Sequence, residues 1–243
     1  MKFKTAITQV NREGSETVRG EPLSELISKR TFSETIFLIL KGTLPTEAQA
    51  RMINAILTAT IDHGPATASA LCARISASAK NTMHTALAAG MLGFGERHGS
   101  AVESAMNFFY AHKEGYDVPK LVRDMKARKE YVPGFGHKVF TEHDPRSVAL
   151  FDIARDTNIY GAYCELAHTL HKEINAVSSK PLPMNVDGAI AAILCDMGFD
   201  SRLGNGIFMI GRVPGLVAHI FEEMTTGQGI RRLDDDEVEY MNN

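Results

Sequence analysis

The chain has 243 residues, of which 44% are hydrophobic, so it is long enough to bury a sizeable core. Its formal net charge is −3 and it has no Lys/Arg cluster, which argues against nucleic acid as a partner. The N-terminal segment MKFKTAITQV lacks the apolar core of a signal peptide. No apolar run reads as long enough to span a bilayer, so we expect no membrane association.

The three cysteines, Cys72, Cys164 and Cys195, are an odd number without CxxC spacing. This pattern predicts buried thiols in a reducing compartment rather than a disulfide framework or a zinc site. We therefore expect a cytoplasmic protein.

Local patterns predict a helical chain that begins with a small β-hairpin around the turn NREG. Thr46 and Gln49 form a predicted capping box, and the helix after it ends at the sequence DHGP, residues 62–65. The apolar face of this helix consists of Met52, Ile53, Ile56, Leu57 and Thr60.

Further helices follow along the chain. The small residues of ATASALCARISASA, residues 66–79, permit close helix packing. A second capping box, Ser100 with Glu103, opens another helix. Predicted helices cover residues 81–92, 101–112, 145–156, 161–177, 188–197 and 206–224, the last with a kink at Pro214. The acidic tail, residues 234–243, indicates a solvated surface. The predicted fold class is therefore all-α with one short hairpin.

The segment PGFGHKVFTEHDPR, residues 133–146, carries the most informative candidate site residues. The glycines before His137 allow a sharp turn and a close approach of backbone to a ligand. Asp144 and Pro145 predict a helix start, with Asp144 as N-cap, which places Arg146 in the first turn. A loop histidine beside a helix-start arginine suits a carboxylate substrate, although a loop histidine alone is more often structural.

Two charged residues lie in apolar helices. Arg212, in IFMIGRVPGLVAH, is either paired with an internal carboxylate or acts as a clamp for a substrate carboxylate. Asp187 begins a helix that is apolar on every side and should be central. It is either an N-terminal cap or dipole partner, or a base at the edge of a dry core.

The histidines differ in their local signals. His63 and His98 both end helices beside glycines, and His98 precedes a helix N-terminus, where backbone N–H groups favour negative charge. His168 and His171 have the i,i+3 spacing of some metal ligands, but no acidic or cysteine ligand lies nearby in the sequence. We therefore expect no metal site.

Five segments resemble the citrate synthase superfamily, in the order that this family has them, and the resemblance covers nearly the whole chain. They are GERHGSAVE, PGFGHKVFTEHDPR, NVDG, IGRVPGLVAH and GIRR. The resemblance implies a single helical domain over residues 1–243, with a large body and a smaller mobile subdomain at about residues 105–190 that closes over the substrate.

Two features resemble the citryl-CoA lyase branch of this superfamily, namely ATIDHGPATAS around His63 and the NVDG…NGIFMIGR pair. Ordinary synthases have a helical insertion between the segments that match LILKGTLP and TIDHG. Here only residues 46–59 separate these two segments, so the insertion is absent. In contrast, His98 is the residue of synthases, where the lyase module of ATP-citrate lyase has phenylalanine. The resemblance implies a citryl-CoA lyase, with a compact citrate or 2-methylcitrate synthase, or a non-catalytic subunit of a citrate-cleaving complex, as alternatives.

The resemblance also implies roles for single residues. Asp187 would move the proton on the methyl carbon of acetyl-CoA, and His98 would hydrogen-bond the thioester oxygen as the enolate forms. His137 would exchange a proton with the oxygen of oxaloacetate. The carboxylates of the citryl group would be held by His63, Arg146 and Arg212, and by Arg232 from across a dimer interface, with Arg231 as the alternative to Arg232.

Coenzyme A would contact one loop, with its adenine against the backbone of Val132, Pro133, Gly134, Phe135 and Gly136, and a phosphate on Lys138. The resemblance implies no metal or further cofactor, because the coenzyme A thioester is itself the substrate. It implies citryl-CoA, acetyl-CoA and oxaloacetate as small-molecule partners, at least a homodimer, and an association with a citryl-CoA synthetase as an open question.

Overall fold

The computed structural model describes residues 2–12, 14–96, 98–99, 101–113, 115–137 and 139–241. These residues form eleven α-helices, three short β-strands and two 3-10 turns, so the predicted helical fold class is confirmed. The helices are α1 (Leu23–Lys29), α2 (Phe32–Lys41), α3 (Glu47–Ala59), α4 (Ala68–Ser78), α5 (Met83–Leu92), α6 (Ala101–Ala111), α7 (Val118–Ala127), α8 (Pro145–Asp156), α9 (Ala162–Val177), α10 (Val186–Asp196) and α11 (Gly204–Thr226).

The predicted N-terminal hairpin is confirmed and gains a third strand. β1 (Thr8–Val10), β2 (Glu16–Val18) and β3 (Glu21–Pro22) form an antiparallel sheet in that order. Arg19 connects this sheet to α2, because its Nε and Nη2 donate to the carbonyl of Ile39 at 3.0 and 2.8 Å.

The chain divides into two compact units. Unit 1 comprises Met1–Ala59 and Ala101–Phe208, and unit 2 comprises Thr60–Ser100 and Met209–Asn243. The subdomain predicted at about residues 105–190 falls wholly within unit 1 and stays a prediction.

The centre of unit 1 is α10, which contacts α6, α8 and α9. The residues from Gly188 to Cys195 are all buried, as predicted for a helix that is apolar on every side. The helix begins two residues earlier than predicted, because Asn185 is its N-cap and accepts a hydrogen bond from the Gly188 amide at 3.1 Å. At its other end, Asp196 accepts hydrogen bonds from amides in the first turn of α9.

Unit 2 is built from α4, α5 and the larger part of α11. The small residues Ala70, Ala73 and Ala77 are buried with Leu216 and Ile220 in one apolar cluster. A Cβ added at Gly90 of α5 would lie 3.0 Å from the Ala73 Cβ. The close helix packing predicted for residues 66–79 is therefore confirmed.

Several sequence predictions need correction or fall outside the described residues. Cys72 is exposed, whereas Cys164 and Cys195 are buried as predicted. Helix α7 was not predicted, although Asp117 is its N-cap and a proline occupies its first turn. The predicted cap Ser100 lies outside the described residues, while the box of Thr46 with Gln49 is confirmed.

The segment Ser201–Thr226 is long and apolar enough to cross a membrane by length and composition, contrary to the expectation that no apolar run of this chain is long enough to do so. A core helix passes the same test, and 44% of the most apolar window in this segment is buried inside the structure. Leu216 and Ile220 of α11 are fully buried in the core of unit 2, so its apolar composition is also that of a core helix.

Candidate active site

In unit 1, the loop before His137 crosses the start of α10 at a contact between two glycines. Gly134 has a φ of 87°, and a Cβ there would lie 2.5 Å from the Gly188 Cα. A Cβ on Gly188 would lie 2.4 Å from the Gly134 carbonyl oxygen. Neither position accepts a side chain without moving backbone, so the two glycines set the distance between the loop and the helix that carries Asp187.

Backbone hydrogen bonds hold the same loop against the segment that enters α10. The Asn185 amide donates to the Gly134 carbonyl at 3.0 Å, and the Gly136 amide donates to Pro183 at 2.7 Å. The side-chain nitrogen of Asn185 donates to the Gly136 carbonyl at 2.8 Å while its oxygen caps α10. Asn185 therefore joins the helix start to the loop, a role that its sequence context does not predict.

Asp144 is the N-cap of α8, as predicted, and it also holds Arg146. The carboxylate is fully buried and accepts from Arg146 Nε at 3.0 Å and Nη2 at 2.8 Å. It also accepts from the Arg146 amide and from the Val186 amide at the start of α10, both at 3.0 Å. Burial alone would raise the pKa of Asp144, but these four donors outweigh it and lower the pKa. The carboxylate thus stays charged and fixes the arginine.

His137 is held in one tautomer by its own loop. Its Nδ1 accepts hydrogen bonds from the amides of Val139 and Phe140 at 3.0 and 3.1 Å, so the proton of the neutral ring is on Nε2. The pKa of His137 is lowered, first by burial and also by the Arg146 cation, against an opposing effect of Asp144. Arg146 Nη2 lies 3.4 Å from Nε2. This contact becomes a hydrogen bond donated by Arg146 only when Nε2 carries no proton.

Asp187 occupies the second position of α10, next to the glycine contact with the loop. Asn185 is the cap of this helix, so the interpretation of Asp187 as the N-cap is wrong. The side chain is half-buried and its Oδ1 is inaccessible to solvent. The helix N-terminus stabilises a carboxylate here, while the buried helix interior behind it limits hydration.

In unit 2, His98 lies in a tight turn, where it exchanges backbone hydrogen bonds with Gly95 at 2.8 and 3.0 Å. Its Nε2 accepts from the Ser69 amide at 3.3 Å and lies 2.8 Å from the Ser69 hydroxyl. The Phe94 ring stacks on the imidazole, with 5.2 Å between centroids. With Nε2 as the acceptor, the proton of the neutral ring is on Nδ1. Ser69 cannot be predicted as a site residue from the sequence, because no motif surrounds it.

Arg212 and His63 are connected through one turn of unit 2. Arg212 is 2% exposed, and its Nε donates to the carbonyl of Thr60 at 2.7 Å. The exposed His63 follows three residues later. The sequence suggests two roles for Arg212, a pair with an internal carboxylate or a clamp for a substrate carboxylate. The Nε hydrogen bond in the structure is made to a backbone carbonyl, that of Thr60.

The two arginines of GIRR differ in their surroundings. Arg231 donates from Nε to the buried Glu223 carboxylate at 2.8 Å, and its amide donates to the Ser78 hydroxyl at 2.9 Å. Both arginines are exposed and line an open cavity of about 500 Å³ near the end of α11. Arg231 therefore anchors the tail, which leaves Arg232 as the better candidate for an external carboxylate.

The structure places the predicted residues in two groups, one in each unit. His137, Arg146, Asp187 and the loop 132–136 lie in unit 1, and His63, His98, Arg212 and Arg232 lie in unit 2. Lys138 lies outside the described residues. Within the described ranges, no group of three or more His, Cys, Asp or Glu side chains is arranged to hold a metal ion.

Comparison with known proteins gives the family of this chain. Residues 45–233 match the family described as "Citrate synthase, C-terminal domain". The chain belongs to the citrate synthase family. This match includes every predicted site residue from His63 to Arg232 and begins at the helix that precedes His63.

Two solved structures of this family are similar over the whole chain. A citryl-CoA lyase from Hydrogenobacter thermophilus is 45% identical with a TM-score of 0.94, and the match covers 99% of this chain and 95% of that one. An ATP citrate lyase variant from Methanosaeta concilii, in complex with (3S)-citryl-CoA, is 25% identical with a TM-score of 0.87. That match covers 100% of this chain and 42% of the other.

Curated relatives in the citrate synthase family are longer than this chain. The probable ATP-citrate synthase of Caenorhabditis elegans is 30% identical over an alignment of 217 residues, and the match covers 82% of this chain and 20% of that protein. Across the first three relatives, the matched segment spans between 20% and 54% of the relative's own length.

Proposed function

We propose that this protein is a citryl-CoA lyase, which cleaves citryl-CoA to acetyl-CoA and oxaloacetate. The observation that carries the proposal is the 45% identity to a citryl-CoA lyase over 99% of this chain and 95% of that one. The probable ATP-citrate synthases among the relatives are longer, and the matched segment spans 20% and 38% of the first two.

The proposed reaction breaks one carbon–carbon bond. The hydroxyl proton of the citryl group passes to His137, the hydroxyl carbon becomes the ketone of oxaloacetate, and the bonding electrons pass into the thioester as an enolate. His98 donates a hydrogen bond from Nδ1 to the enolate oxygen, stabilising charge that appears only as the bond breaks. Asp187, in its protonated form, then protonates the methylene carbon to give the methyl group of acetyl-CoA.

Several cationic or donor groups are needed, because the citryl group keeps two free carboxylates beside its thioester and a further negative charge develops on the enolate oxygen. We propose that Arg146, Arg212 and His63 bind these carboxylates, since guanidinium groups match carboxylate geometry. The fixed position of Arg146 against Asp144 supports this role. Coenzyme A is proposed to bind along residues 132–136, with Lys138 at a phosphate.

A second candidate function is the reverse condensation, as in a citrate or 2-methylcitrate synthase. It is favoured by the His137 tautomer, because a ring with the proton on Nε2 is ready to donate to the ketone oxygen of oxaloacetate. Cleavage instead needs an unprotonated Nε2, so the proton must first move to Nδ1, at the expense of the two amide bonds.

Direct assays in both directions distinguish these functions. Purified protein is given citryl-CoA in one assay, and acetyl-CoA with oxaloacetate in the other. Rapid cleavage with negligible net release of free coenzyme A in the second assay is the expected result. Vigorous release of coenzyme A would make the protein a synthase, and inactivity in both assays would favour a non-catalytic subunit of a citrate-cleaving complex.

We further propose a cytoplasmic homodimer in which Arg232 serves the site of the partner subunit. The exposed position of Arg232 beside an anchored Arg231 supports this assignment. A citryl-CoA synthetase, which would supply the substrate, is a proposed functional partner.

A further inference from the structure

The turn that carries His63 makes three contacts with one face of α11. We define the His63 turn as residues 60–64, between the end of α3 and the start of α4. Except for the buried Thr60, this turn is largely solvent-accessible, with Ile61 48% exposed and His63 exposed. Contacts from elsewhere must therefore fix its conformation.

Two of these contacts involve the backbone of the turn. Arg212 Nε donates to the Thr60 carbonyl at 2.7 Å. Three residues further along α11, Gly215 lies so close to the turn that a Cβ there would be 2.2 Å from the Ile61 carbonyl oxygen. Only glycine allows this approach.

The third contact is a side-chain pair. His219 Nε2 donates to Asp62 Oδ1 at 3.1 Å, and Asp62 Oδ2 accepts from the Gly64 amide at 2.9 Å. Asp62 thus contacts both His219 and the Gly64 amide, and His63 lies between Asp62 and Gly64 in the chain. The His219 side chain is 15% exposed, so its hydrogen bond to Asp62 is partly shielded from water.

These three residues lie on one face of α11, at positions i, i+3 and i+7. Arg212, Gly215 and His219 therefore contact the His63 turn as one rigid surface. We propose that Gly215 and the Asp62–His219 pair are positioning elements that set the location of the His63 imidazole for a substrate carboxylate. This inference rests on the proposed function for the role of His63, but the positioning itself does not depend on it.

The chain offers a matched control for Gly215. Gly206 lies in the same helix, and apart from its chain neighbours and the backbone of that helix, the described part of the chain places no atom within 4 Å of an added Cβ there. Gly215→Ala should push the His63 turn away, whereas Gly206→Ala adds the same methyl group into open space. For the side-chain pair, His219→Leu removes the donor and His219→Gln keeps one.

The first measurement is structural and independent of activity. The imidazole resonance of His63 and the amide resonance of Gly64 are followed by NMR in full-length protein. We expect both to shift in Gly215→Ala and His219→Leu, and to stay near their wild-type positions in Gly206→Ala and His219→Gln. Unchanged resonances in Gly215→Ala and His219→Leu, with a cooperative thermal transition retained, would overturn the positioning role.

The second measurement separates substrate positioning from general stability. In Gly215→Ala and His219→Leu, the KM for citryl-CoA should rise roughly tenfold or more, with a smaller change in kcat. The Kd for free coenzyme A, whose proposed site is in unit 1, should not change. His219→Gln should restore most of the KM. Shifted resonances with a wild-type KM would refute the link to substrate, and wild-type protein inactive with citryl-CoA would instead refute the proposed function.

Discussion

His137 and His98 each use one ring nitrogen as an acceptor for backbone amides, and this decides what the other nitrogen can do. In His137 the acceptor is Nδ1, and in His98 it is Nε2. The remaining nitrogen of each neutral ring then carries the proton. The two neutral imidazoles are thus donors at different ring positions, Nε2 in His137 and Nδ1 in His98. A sequence motif does not give this difference.

The protonation of His137 can be tested by changing its neighbour. Arg146→Gln removes the cation that helps to lower the pKa of His137, while the opposing effect of Asp144 remains. The pKa of His137, measured by NMR titration, should therefore rise from its value below 6.5. Arg155→Gln, an exposed arginine of the same helix bonded to Asp152, is the control and should leave it unchanged. A fall in the pKa with Arg146→Gln would contradict the assignment.

The sign of the matching stability effect follows from the lowered pKa. The folded protein favours the neutral ring of His137. The stability that the fold gains from this preference is fully present above the unfolded-state pKa near 6.5, and it is lost as the pH falls below that pKa. Arg146→Gln should weaken this pH dependence, because it brings the two pKa values closer together.

Asp187 is the residue on which the proposed proton transfer at carbon depends. Asp187→Asn keeps the size of the side chain but cannot donate or accept the proton, so kcat with citryl-CoA should fall by roughly 10² to 10⁴-fold. The thermal transition should stay near that of the wild type. Asp152→Asn, on the exposed side of α8, is the control. A near-normal rate in Asp187→Asn would show that another group moves this proton.

Residue types at the site could be predicted from the sequence, but their partners could not. The DPR motif gave both the cap role of Asp144 and the first-turn place of Arg146. The same carboxylate binds the Arg146 guanidinium two residues away, but its bond to the Val186 amide at the start of α10 spans 42 residues of the chain. Ser69, which bonds His98 across 29 residues, was missed for the same reason.

At the scale of elements, the loop of residues 132–137 and helix α10 behave as one structural piece. Three kinds of contact join the loop to the start of α10 and the residues before it. They are the Gly134–Gly188 contact, the hydrogen bonds of Asn185, and the backbone bridge between Phe135 and Met184. His137 and Asp187 are therefore carried by elements whose separation is fixed by backbone contacts rather than by long side chains.

The glycine contact predicts a sharp difference between two alanine substitutions. Gly188 and Gly206 are each the third residue of a helix, α10 and α11 respectively. Gly188→Ala puts a Cβ 2.4 Å from the Gly134 carbonyl and must displace the loop, so it should lower Tm and weaken coenzyme A binding. Gly206→Ala meets open space and should retain or raise Tm, because alanine favours helix.

Thermal unfolding and calorimetric titration with coenzyme A measure both effects. Equal Tm values and equal affinities for the two variants would mean that the loop accommodates the extra methyl group, contrary to the close contact.

Helices with strong end signals were predicted almost to the residue. Helix α8 has the predicted limits, because Asp144 and Pro145 define its start without help from tertiary contacts. Helix α10 was placed two residues late, since its true cap, Asn185, also serves the loop. The third strand was missed because β3 is only two residues long and its turn uses Arg19 at a φ of 53°.

At the scale of the whole molecule, the C-terminal tail is tied down by a buried carboxylate. Glu223 is inaccessible to solvent, and its Oε2 accepts from Arg74 at 2.9 Å and from Arg231 at 2.8 Å. Burial raises the pKa of Glu223, but the two arginines outweigh this effect and lower it. The ion pairs hold the segment after α11 on unit 2, and Arg232 follows this anchor directly.

The family resemblance predicted the helical architecture over the whole chain, because its motifs lie on α6, α10, α11 and the segments beside them. It did not predict which arginine of GIRR is held in place. That distinction depends on Glu223, which is eight residues before Arg231 and carries no motif of its own.

A proposed role of Arg232 in the partner's site can be tested with mixed dimers. Asp187→Asn and Arg232→Ala chains, each with a different affinity tag, are coexpressed and the mixed dimer is purified through both tags. Each parent homodimer should be nearly inactive. The mixed dimer should regain about half of the wild-type activity, because one of its two sites then combines an intact Asp187 with an intact Arg232.

Two controls make this result specific to a residue that acts across the interface. Pairing Asp187→Asn with His137→Gln should restore nothing, because both residues belong to unit 1 of the same chain and each site of the mixed dimer lacks one of them. Arg231→Ala should lower Tm more than Arg232→Ala does, because it leaves the buried Glu223 with one arginine fewer. If the Arg232→Ala mixture stays as inactive as its parents, Arg232 acts within its own chain or not at all.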